Sequence, residues 1–247
     1  MHLELWQWAL GALGAFLVGL SKTGIPGLGI LNVAIFALVF PARDSVGLVL
    51  VILICGDLVA VSTYRRDASW GHLWRLFPWA AVGVVAGYFA LGRVNDLQMR
   101  HLIGVILLAL VVFQYVRSRR PAPPEGEARP ARPWLAPLAG ITAGFTTMVA
   151  NAGGPVMAMY FFAARFPVKA FLGTAAWFFA VVNLVKVPIS VGLGIITPST
   201  LLLVLVLVPG LVAGALIGRW IANRIAQRVF DLVVVVGSLA GAIYLIV

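Results

Sequence analysis

Six apolar stretches of about 18 residues or more recur along the chain, and each is long enough for a helix to cross a membrane. They comprise residues 44–64, 74–91, 97–116, 170–187, 199–218 and 229–247. Hydrophobic residues make up 62% of the 247 residues, and charged residues only 11%. A soluble fold of this size could not bury so much apolar surface. The sequence therefore predicts an all-α, polytopic membrane protein.

The basic residues lie where membrane proteins carry them. The formal net charge is +10, and most of the basic residues are arginines in short loops between the apolar stretches. Such loop charges fix the orientation of a membrane protein, so we expect a lipid bilayer and not nucleic acid as the partner. The single cysteine, Cys55, offers no disulfide within the chain, and the three histidines lack the spacing of metal ligands. No metal or cofactor is therefore predicted.

An earlier apolar stretch, residues 5–20, is not typical of a cleaved signal peptide. It follows Glu4, has no basic region before it and offers no small-x-small cleavage site. We expect it to remain in the mature protein.

Two glycine-rich polar breaks interrupt the apolar sequence about half a chain apart. The first is SKTGIPGLG at residues 21–29, and the second is TTMVANAGGP at residues 146–155. Each break lies between two short apolar segments. The segment after the first break, residues 27–40, would cover only about 21 Å of a hydrocarbon core that is about 30 Å thick. The two short segments around each break therefore either extend beyond these limits and cross the membrane, or form a hairpin that enters the membrane and returns.

The two halves of the chain repeat one another. A shift of 126 residues places Gly14 on Gly140, Ser21 on Thr147, Gly27 on Gly153, Phe40-Pro41 on Phe166-Pro167, Gly47 on Gly173 and Asp57 on Asn183. A shift of 131 then places Pro78 on Pro209, Gly83 on Gly214, Gly87 on Gly218 and Arg93 on Arg224. Each half has two short segments around its break and three longer segments. Because five is odd, the halves enter the membrane in opposite directions, which predicts inverted-topology repeats.

These repeats define the predicted organisation of the chain. We expect an N-terminal repeat at residues 1–116, a basic, proline-rich cytoplasmic linker at 117–134 and a C-terminal inverted repeat at 135–247. With the linker inside, the inside loops also carry Arg65, Arg66, Arg75, the 165–169 turn, Arg219, Arg224 and Arg228. Only Arg43, Arg93 and Arg100 are left for the outside loops. This bias predicts that both termini face outward.

The chemistry of the breaks favours an anion. Irregular backbone at membrane depth persists only where it lines a cavity. The helix after each break points its N-terminus there, and free N–H groups with the positive end of the helix dipole attract negative charge. Lys22 would cost about 2.5 to 3.5 kcal/mol at a helix centre, a cost that a bound anion offsets. The alternative is that each break is a tight turn and that Lys22 is an anchor on the inner surface.

The breaks also carry a resemblance to a known family. Residues 14–32 read GAFLVGLSKTGIPGLGILN, residues 144–155 read GFTTMVANAGGP, and Phe166-Pro167 is followed by Lys169. With these motifs the chain resembles the TauE/SafE family of bacterial sulfite exporters and related permeases, over essentially its whole length. The resemblance implies a multi-pass transporter of the bacterial cytoplasmic (inner) membrane. Its implied substrates are small sulfur-containing anions, such as sulfite, thiosulfate or organosulfonates, or related carboxylates.

The candidate substrate-binding residues come from both breaks. The resemblance places Ser21, Lys22, Gly24, Gly27, Thr147, Asn151, Gly153 and Gly154 in the functional motifs. The chemistry of the breaks adds the hydroxyls of Thr23 and Thr146 as hydrogen-bond partners. Because the second break has an asparagine and no lysine, the predicted pocket is asymmetric. Lys22 and Asn151 should then face one cavity.

Three further polar residues lie inside the long apolar stretches. Asp57 is either a proton or sodium site or a structural carboxylate that pairs with Lys22. Asn183 occupies the equivalent position in the second half. Lys186 lies one turn beyond it, and we expect its side chain to snorkel to the membrane interface rather than to draw anions inward.

Two further series of glycines, Gly83/Gly87 and Gly210/Gly214/Gly218, have the spacing that lets helices approach closely. We expect them to pack one repeat on the other rather than to form the seam of a homo-oligomer.

The sequence thus predicts a secondary transporter with a central anion site and alternating access. No nucleotide-binding motif is found in the sequence, so the energy would come from the anion's own gradient or from a coupling ion, a proton or sodium. One alternative is a cation carrier with Asp57 as the ligand. Another is a membrane-embedded enzyme or an assembly partner for one, which would need a nucleophile with a base, or paired carboxylates, at membrane depth. Asp57 has no second acidic partner in the interior of the apolar stretches, so we predict no catalytic residues and no enzymatic activity.

Overall fold

The computed structural model describes residues 4–24, 28–118 and 134–221, and the regular elements within these ranges are helices. They are α1 (Leu5–Thr23), α2 (Gly29–Val39), α3 (Ala42–Tyr64), α4 (Trp70–Leu91), α5 (Asp96–Ser118), α6 (Leu135–Ala150), α7 (Gly154–Ala163), α8 (Val168–Gly192) and α9 (Pro198–Ile221). Four of them, α3, α4, α8 and α9, are long and apolar enough to cross a membrane. Helix α5 contains the predicted stretch 97–116. The protein is an all-α, polytopic membrane protein, as predicted.

Two predicted segments lie outside the described residues. They are the apolar stretch 229–247 and residues 119–133 of the predicted linker. The description of the C-terminal half therefore ends with α9.

The two breaks separate a longer helix from a shorter one. Helix α1 ends at Thr23 and α2 begins at Gly29, while α6 ends at Ala150 and α7 begins at Gly154. The shorter helices have 11 and 10 residues, so each extends only about 15 to 17 Å at 1.5 Å per residue. That is roughly half of the hydrocarbon thickness. Helices α2 and α7 are therefore too short to cross the core alone.

The helices of the two halves pack reciprocally. Helix α1 packs extensively on α9, α4 packs on α6, and α3 packs on α8. The sequence shifts equate α1 with α6, α4 with α9 and α3 with α8. If the two halves are exchanged, the contact of α1 with α9 therefore becomes the contact of α6 with α4. The contact of α3 with α8 stays the same. A two-fold relation between the halves would produce this pattern.

Glycines allow two of these contacts to be close. A Cβ atom on Gly83 of α4 would lie 2.1 Å from the carbonyl oxygen of Ile141 in α6. On Gly214 of α9 it would lie 2.0 Å from the carbonyl oxygen of Phe16 in α1. No real side chain fits at such distances, so the backbones can meet only because these residues are glycines. The prediction that these glycines pack one half against the other is confirmed.

Polar contacts join the helix ends at each side of the helical body. At one side, Arg43 donates from its backbone N–H to Asp96 Oδ1 at 3.0 Å and from Nη2 to the carbonyl oxygen of Leu193 at 3.1 Å. At the other, the backbone N–H of Ser69 donates to Thr174 Oγ1 at 2.9 Å. Ser69 is four residues beyond Arg65. Arg43 is at the start of α3 and the loop 65–69 follows its end, so the two lie at opposite ends of this helix. The predicted topology places them on opposite sides of the membrane.

Candidate functional site

A cavity of about 90 Å³ lies between the two breaks. Its polar lining consists of Ser21, Lys22, Asn32, Asp57, Thr147 and Asn151, and its aromatic lining of Phe161, Phe171 and Phe179. A buried space needs only about 10 to 15 Å³ to hold one water molecule, so this cavity can hold a small ion. Lys22 and Asn151 face this one cavity, which is the arrangement that the asymmetric breaks predict.

The shorter helices begin at the cavity. Gly29, the first residue of α2, and Gly154, the first residue of α7, both line it. The first N–H groups of a helix have no partner within the helix, and the dipole places partial positive charge there. At the second break, Asn151 adopts a left-handed conformation with φ of 52°, which ends α6 and lets the chain turn into α7. Two helix N-termini therefore border the same space.

Lys22 and Asp57 form an ion pair at the cavity. The Nζ atom of Lys22 donates to Asp57 Oδ1, and the same Nζ lies 4.7 Å from the centre of the Phe179 ring. The Asp57 side chain is 2% exposed, whereas that of Lys22 is 14% exposed. Of the two roles that the sequence allows for Asp57, the structure therefore displays the carboxylate paired with Lys22. The lysine is the more accessible member of the pair.

Lys186 is buried, so the prediction that it snorkels to the interface is wrong. The residue is 0% exposed. Its Nζ donates to the carbonyl oxygen of Thr147 and to Asn151 Oδ1, both at 2.6 Å. The sequence interpretation ended this stretch at residue 187, before Pro188, but α8 continues through the proline to Gly192. Lys186 therefore lies inside α8, six residues before its end, and its ammonium group is held by buried oxygen atoms.

Asn183 connects the two lysines. Its Nδ2 donates to Asp57 Oδ2 at 2.7 Å, and its Oδ1 accepts from Lys186 Nζ at 3.3 Å. The resulting polar network runs from Lys22 through Asp57, Asn183 and Lys186 to Asn151, and so from the first break to the second. It contains two ammonium groups and one carboxylate. With all three groups ionised, the network carries one net positive charge.

Some predicted site residues do not face the cavity. The Thr23 hydroxyl donates to the carbonyl oxygens of Gly19 and Ala215, so it joins α1 to α9. The Thr146 hydroxyl donates to the carbonyl oxygen of Thr142 within α6. Gly24 and Gly153 are not among the lining residues, and Gly27 lies outside the described residues. The structure therefore brings Ser21, Lys22, Thr147, Asn151 and Gly154 together and leaves the two threonine hydroxyls in helix packing.

Asn32 is a cavity residue that the sequence interpretation missed. It lies in α2, lines the cavity and is 1% exposed. Neither its Nδ2 nor its Oδ1 has a hydrogen-bond partner among the described residues. The signal was its place as an amide within the otherwise apolar segment 27–40. The predicted binding residues were instead taken from the two breaks themselves.

Comparison with known proteins adds one match. A family model described as sulfite exporter TauE/SafE matches residues 10–245, which include both breaks and the whole polar network. No match was found among curated proteins or among solved structures.

Proposed function

Because the chain belongs to the sulfite exporter TauE/SafE family, we propose that it is a secondary transporter of small sulfur-containing anions. Its location would be the cytoplasmic (inner) membrane of a bacterium. Sulfite, thiosulfate, organosulfonates and related carboxylates form the candidate substrate class. The observation that carries the proposal is the cavity between the breaks, where two helix N-termini meet the Lys22 ammonium group.

The charges around the cavity support an anion. Lys22 and Asp57 neutralise one another, while Lys186 has neutral oxygen atoms as its hydrogen-bond acceptors. Burying a charge without a counter-ion is costly in a medium of low dielectric constant. A singly charged anion in the cavity would balance the extra positive charge. A cation there would add to it.

Lys22 can contact the anion directly. Because Lys22 is the more exposed member of its ion pair, it can share its ammonium protons between Asp57 and an anion without leaving the site. The N–H groups at the starts of α2 and α7 then supply further donors. In this mechanism no covalent bond forms, and the protein provides only binding and a change of access.

Alternating access would come from the two halves. We propose that residues 1–116 and 135–247 are inverted repeats, joined by a cytoplasmic linker at 117–134, and that one half rocks against the other around the cavity. The reciprocal packing of α1 on α9 and of α4 on α6 supports this arrangement. Both contacts join one half to the other, so both must yield or pivot when access changes.

The alternative function is a carrier for protons or sodium ions that uses Asp57. Its support is the burial of Asp57, a residue that is 1% exposed as a whole and lines the cavity. In such a carrier Lys22 would be a structural counter-ion. The coupling ion of an anion transporter could use the same carboxylate.

Flux through the purified protein in liposomes tests both functions. We expect Lys22→Ala to lower sulfite flux about 10- to 100-fold, because hydrogen bonds to charged groups are the stronger ones. Lys169→Ala, which changes an exposed lysine at the start of α8, serves as the control and should keep full flux. Full sulfite flux in Lys22→Ala would contradict the assigned role of Lys22. A cation flux that Asp57→Asn abolishes and Lys22→Ala preserves would favour the alternative.

A further inference from the structure

Resting on the proposed function, we propose that Asn32 recognises a transported oxyanion that carries one negative charge and one O–H group. Hydrogensulfite, the singly protonated form of sulfite, is such an anion. Asn32 would then decide between anions that carry an O–H group and those that do not.

The first argument is the unpaired amide. Asn32 is 1% exposed, and both Nδ2 and Oδ1 lack a partner among the described residues. Buried polar groups are normally hydrogen-bonded, because an unpaired one forfeits its contacts with water. Exchanging the two ends of the amide changes nothing, since both ends are unpaired. This unfavourable burial is retained at a cavity that both breaks line, which points to a ligand that pairs with the amide.

The second argument is the chemistry that the amide requires. An asparagine side chain offers N–H donors at one end and a carbonyl acceptor at the other. A fully deprotonated anion can accept from Nδ2 but has no hydrogen to give to Oδ1. Hydrogensulfite has both, because its oxygen atoms accept and its O–H group donates. It therefore satisfies both ends of Asn32 at once.

The third argument is charge, and it is independent of Asn32. With all three groups ionised, the network of Lys22, Asp57 and Lys186 holds one positive charge in excess. Three of the four oxygen atoms around Lys186 Nζ are carbonyl or amide oxygens that can only accept, so they match the three N–H donors of an ammonium group. A singly charged anion restores neutrality, whereas a doubly charged anion reverses the sign. Protonation of sulfite thus suits the charge of the site as well as the amide.

The other half of the protein lacks this group. The shift of 126 residues places Asn32 on Ala158, which also lines the cavity. Of these two equivalent positions, only the one in α2 carries an amide. Ala158 also shows that an apolar side chain is compatible with the equivalent place in the fold.

The test compares hydrogensulfite with methanesulfinate, in which a methyl group replaces the hydroxyl and the other two oxygen atoms on sulfur are kept. Binding to the purified full-length protein is measured by calorimetry in mildly acidic buffer, where sulfite carries one proton. We expect the wild-type protein to bind hydrogensulfite about 10- to 100-fold more tightly, because methanesulfinate leaves Oδ1 unpaired. In Asn32→Leu, which is similar in size but apolar, this ratio should fall to within about threefold. Ser45→Ala removes a buried hydroxyl that is bonded within α3 and is the control, with an unchanged ratio.

Stability provides a second readout. A structural asparagine would stabilise the unliganded protein, and its loss would lower the melting temperature. We expect the melting temperature of unliganded Asn32→Leu to equal or exceed that of the wild-type protein, because the substitution removes two unpaired polar atoms. Asn32→Ala removes the same amide with a smaller side chain, so it gives the same binding comparison if the leucine does not fit.

The outcomes separate this inference from the proposed function. If both Asn32 variants keep the wild-type ratio of affinities for the two anions, the role of Asn32 is overturned and the proposed anion transport is not affected. Equal affinities for the two anions in the wild-type protein would also overturn the role of Asn32 alone. If the wild-type protein binds neither anion, the proposed function fails and the inference fails with it. A ratio that collapses only in the Asn32 variants supports the inference.

Discussion

Asn183 donates a 2.7 Å hydrogen bond to the carboxylate of Asp57, and the two residues are 126 positions apart, the shift that superposes the two halves of the chain. Under the proposed two-fold relation between the halves, equivalent positions can touch only close to the axis that relates them. This contact would then lie close to that axis. Two aspartates would repel one another there, whereas an amide can donate to a carboxylate. The difference between the halves at this point thus makes the central contact favourable.

The ion pair of Lys22 and Asp57 should couple the two residues energetically. Lys22→Met leaves a buried carboxylate without its counter-ion, which typically costs about 3 to 5 kcal/mol. In Asp57→Asn the charge is absent, so adding Lys22→Met should cost about 1 to 3 kcal/mol less. We expect a coupling free energy of about 1 to 3 kcal/mol between the two substitutions. Unfolding of the single and double variants in detergent measures it, and effects that add to within about 0.5 kcal/mol would contradict a pair that contributes to stability.

Two glycines of the same helix should respond in opposite ways to one methyl group. A Cβ on Gly83 would lie 2.1 Å from a backbone oxygen of α6, whereas a Cβ on Gly71 would meet nothing within 4 Å. We expect Gly83→Ala to lower the free energy of unfolding by about 1 to 3 kcal/mol through overpacking. Gly71→Ala should leave it unchanged or raise it by up to about 1 kcal/mol, because alanine favours the helix. Thermal unfolding in detergent measures both variants, and equal melting temperatures would argue against close packing of α4 on α6.

The long helices could be predicted from the sequence because their signal is local. A run of apolar residues longer than the membrane is thick has few other structures available. The repeat added which helices correspond, and the glycine spacing predicted which contacts are close. The sequence also predicted that Lys22 and Asn151 share a cavity, since two corresponding breaks must meet if the halves are related.

The partners of individual side chains could not be predicted, because they depend on distances between helices. Lys186 is an example, since the predicted apolar stretch ended at residue 187, whereas α8 continues to Gly192. Thr23 and Thr146 have hydroxyls suited to a ligand, but the nearest acceptors are backbone carbonyls of α1, α9 and α6. Asn32 is the last residue of the stretch 14–32 that carries the family resemblance, but it was not singled out as a binding residue. It becomes notable only when its lack of partners is known.

The two sides of the membrane can be distinguished with single cysteines. In a Cys55→Ala background, Arg66→Cys and Arg93→Cys each place a thiol at an exposed position. The loop charges predict that position 66 faces the cytoplasm and position 93 the outside. We expect a membrane-impermeant thiol reagent to label only Arg93→Cys in right-side-out vesicles and only Arg66→Cys in inverted ones. Labelling of both from the same side would contradict the predicted topology.

Lys186 should matter for anion binding although no sequence motif includes it. Lys186→Met removes the positive charge that the network holds in excess, and it keeps a flexible side chain of similar length. We expect the affinity for singly charged anions to fall about 10-fold or more, because the site then becomes neutral before the anion enters. Lys169→Met alters the exposed lysine at the start of the same helix and should leave the affinity within about twofold of the wild-type value.

The effect of Lys186→Met on stability should be smaller than its effect on binding. The substitution leaves the carbonyl oxygen of Thr147 and Asn151 Oδ1 without their donor, which is unfavourable. It also removes the cost of burying an ammonium group, which is favourable. In the empty protein, these two contributions to the free energy of unfolding have opposite signs. For anion binding they do not, because the lost charge and the released Asn151 side chain both lower the affinity. Calorimetry with hydrogensulfite and thermal unfolding of the same samples separate the two quantities. An unchanged affinity in a folded Lys186→Met protein would show that the charge of Lys186 has no part in anion binding.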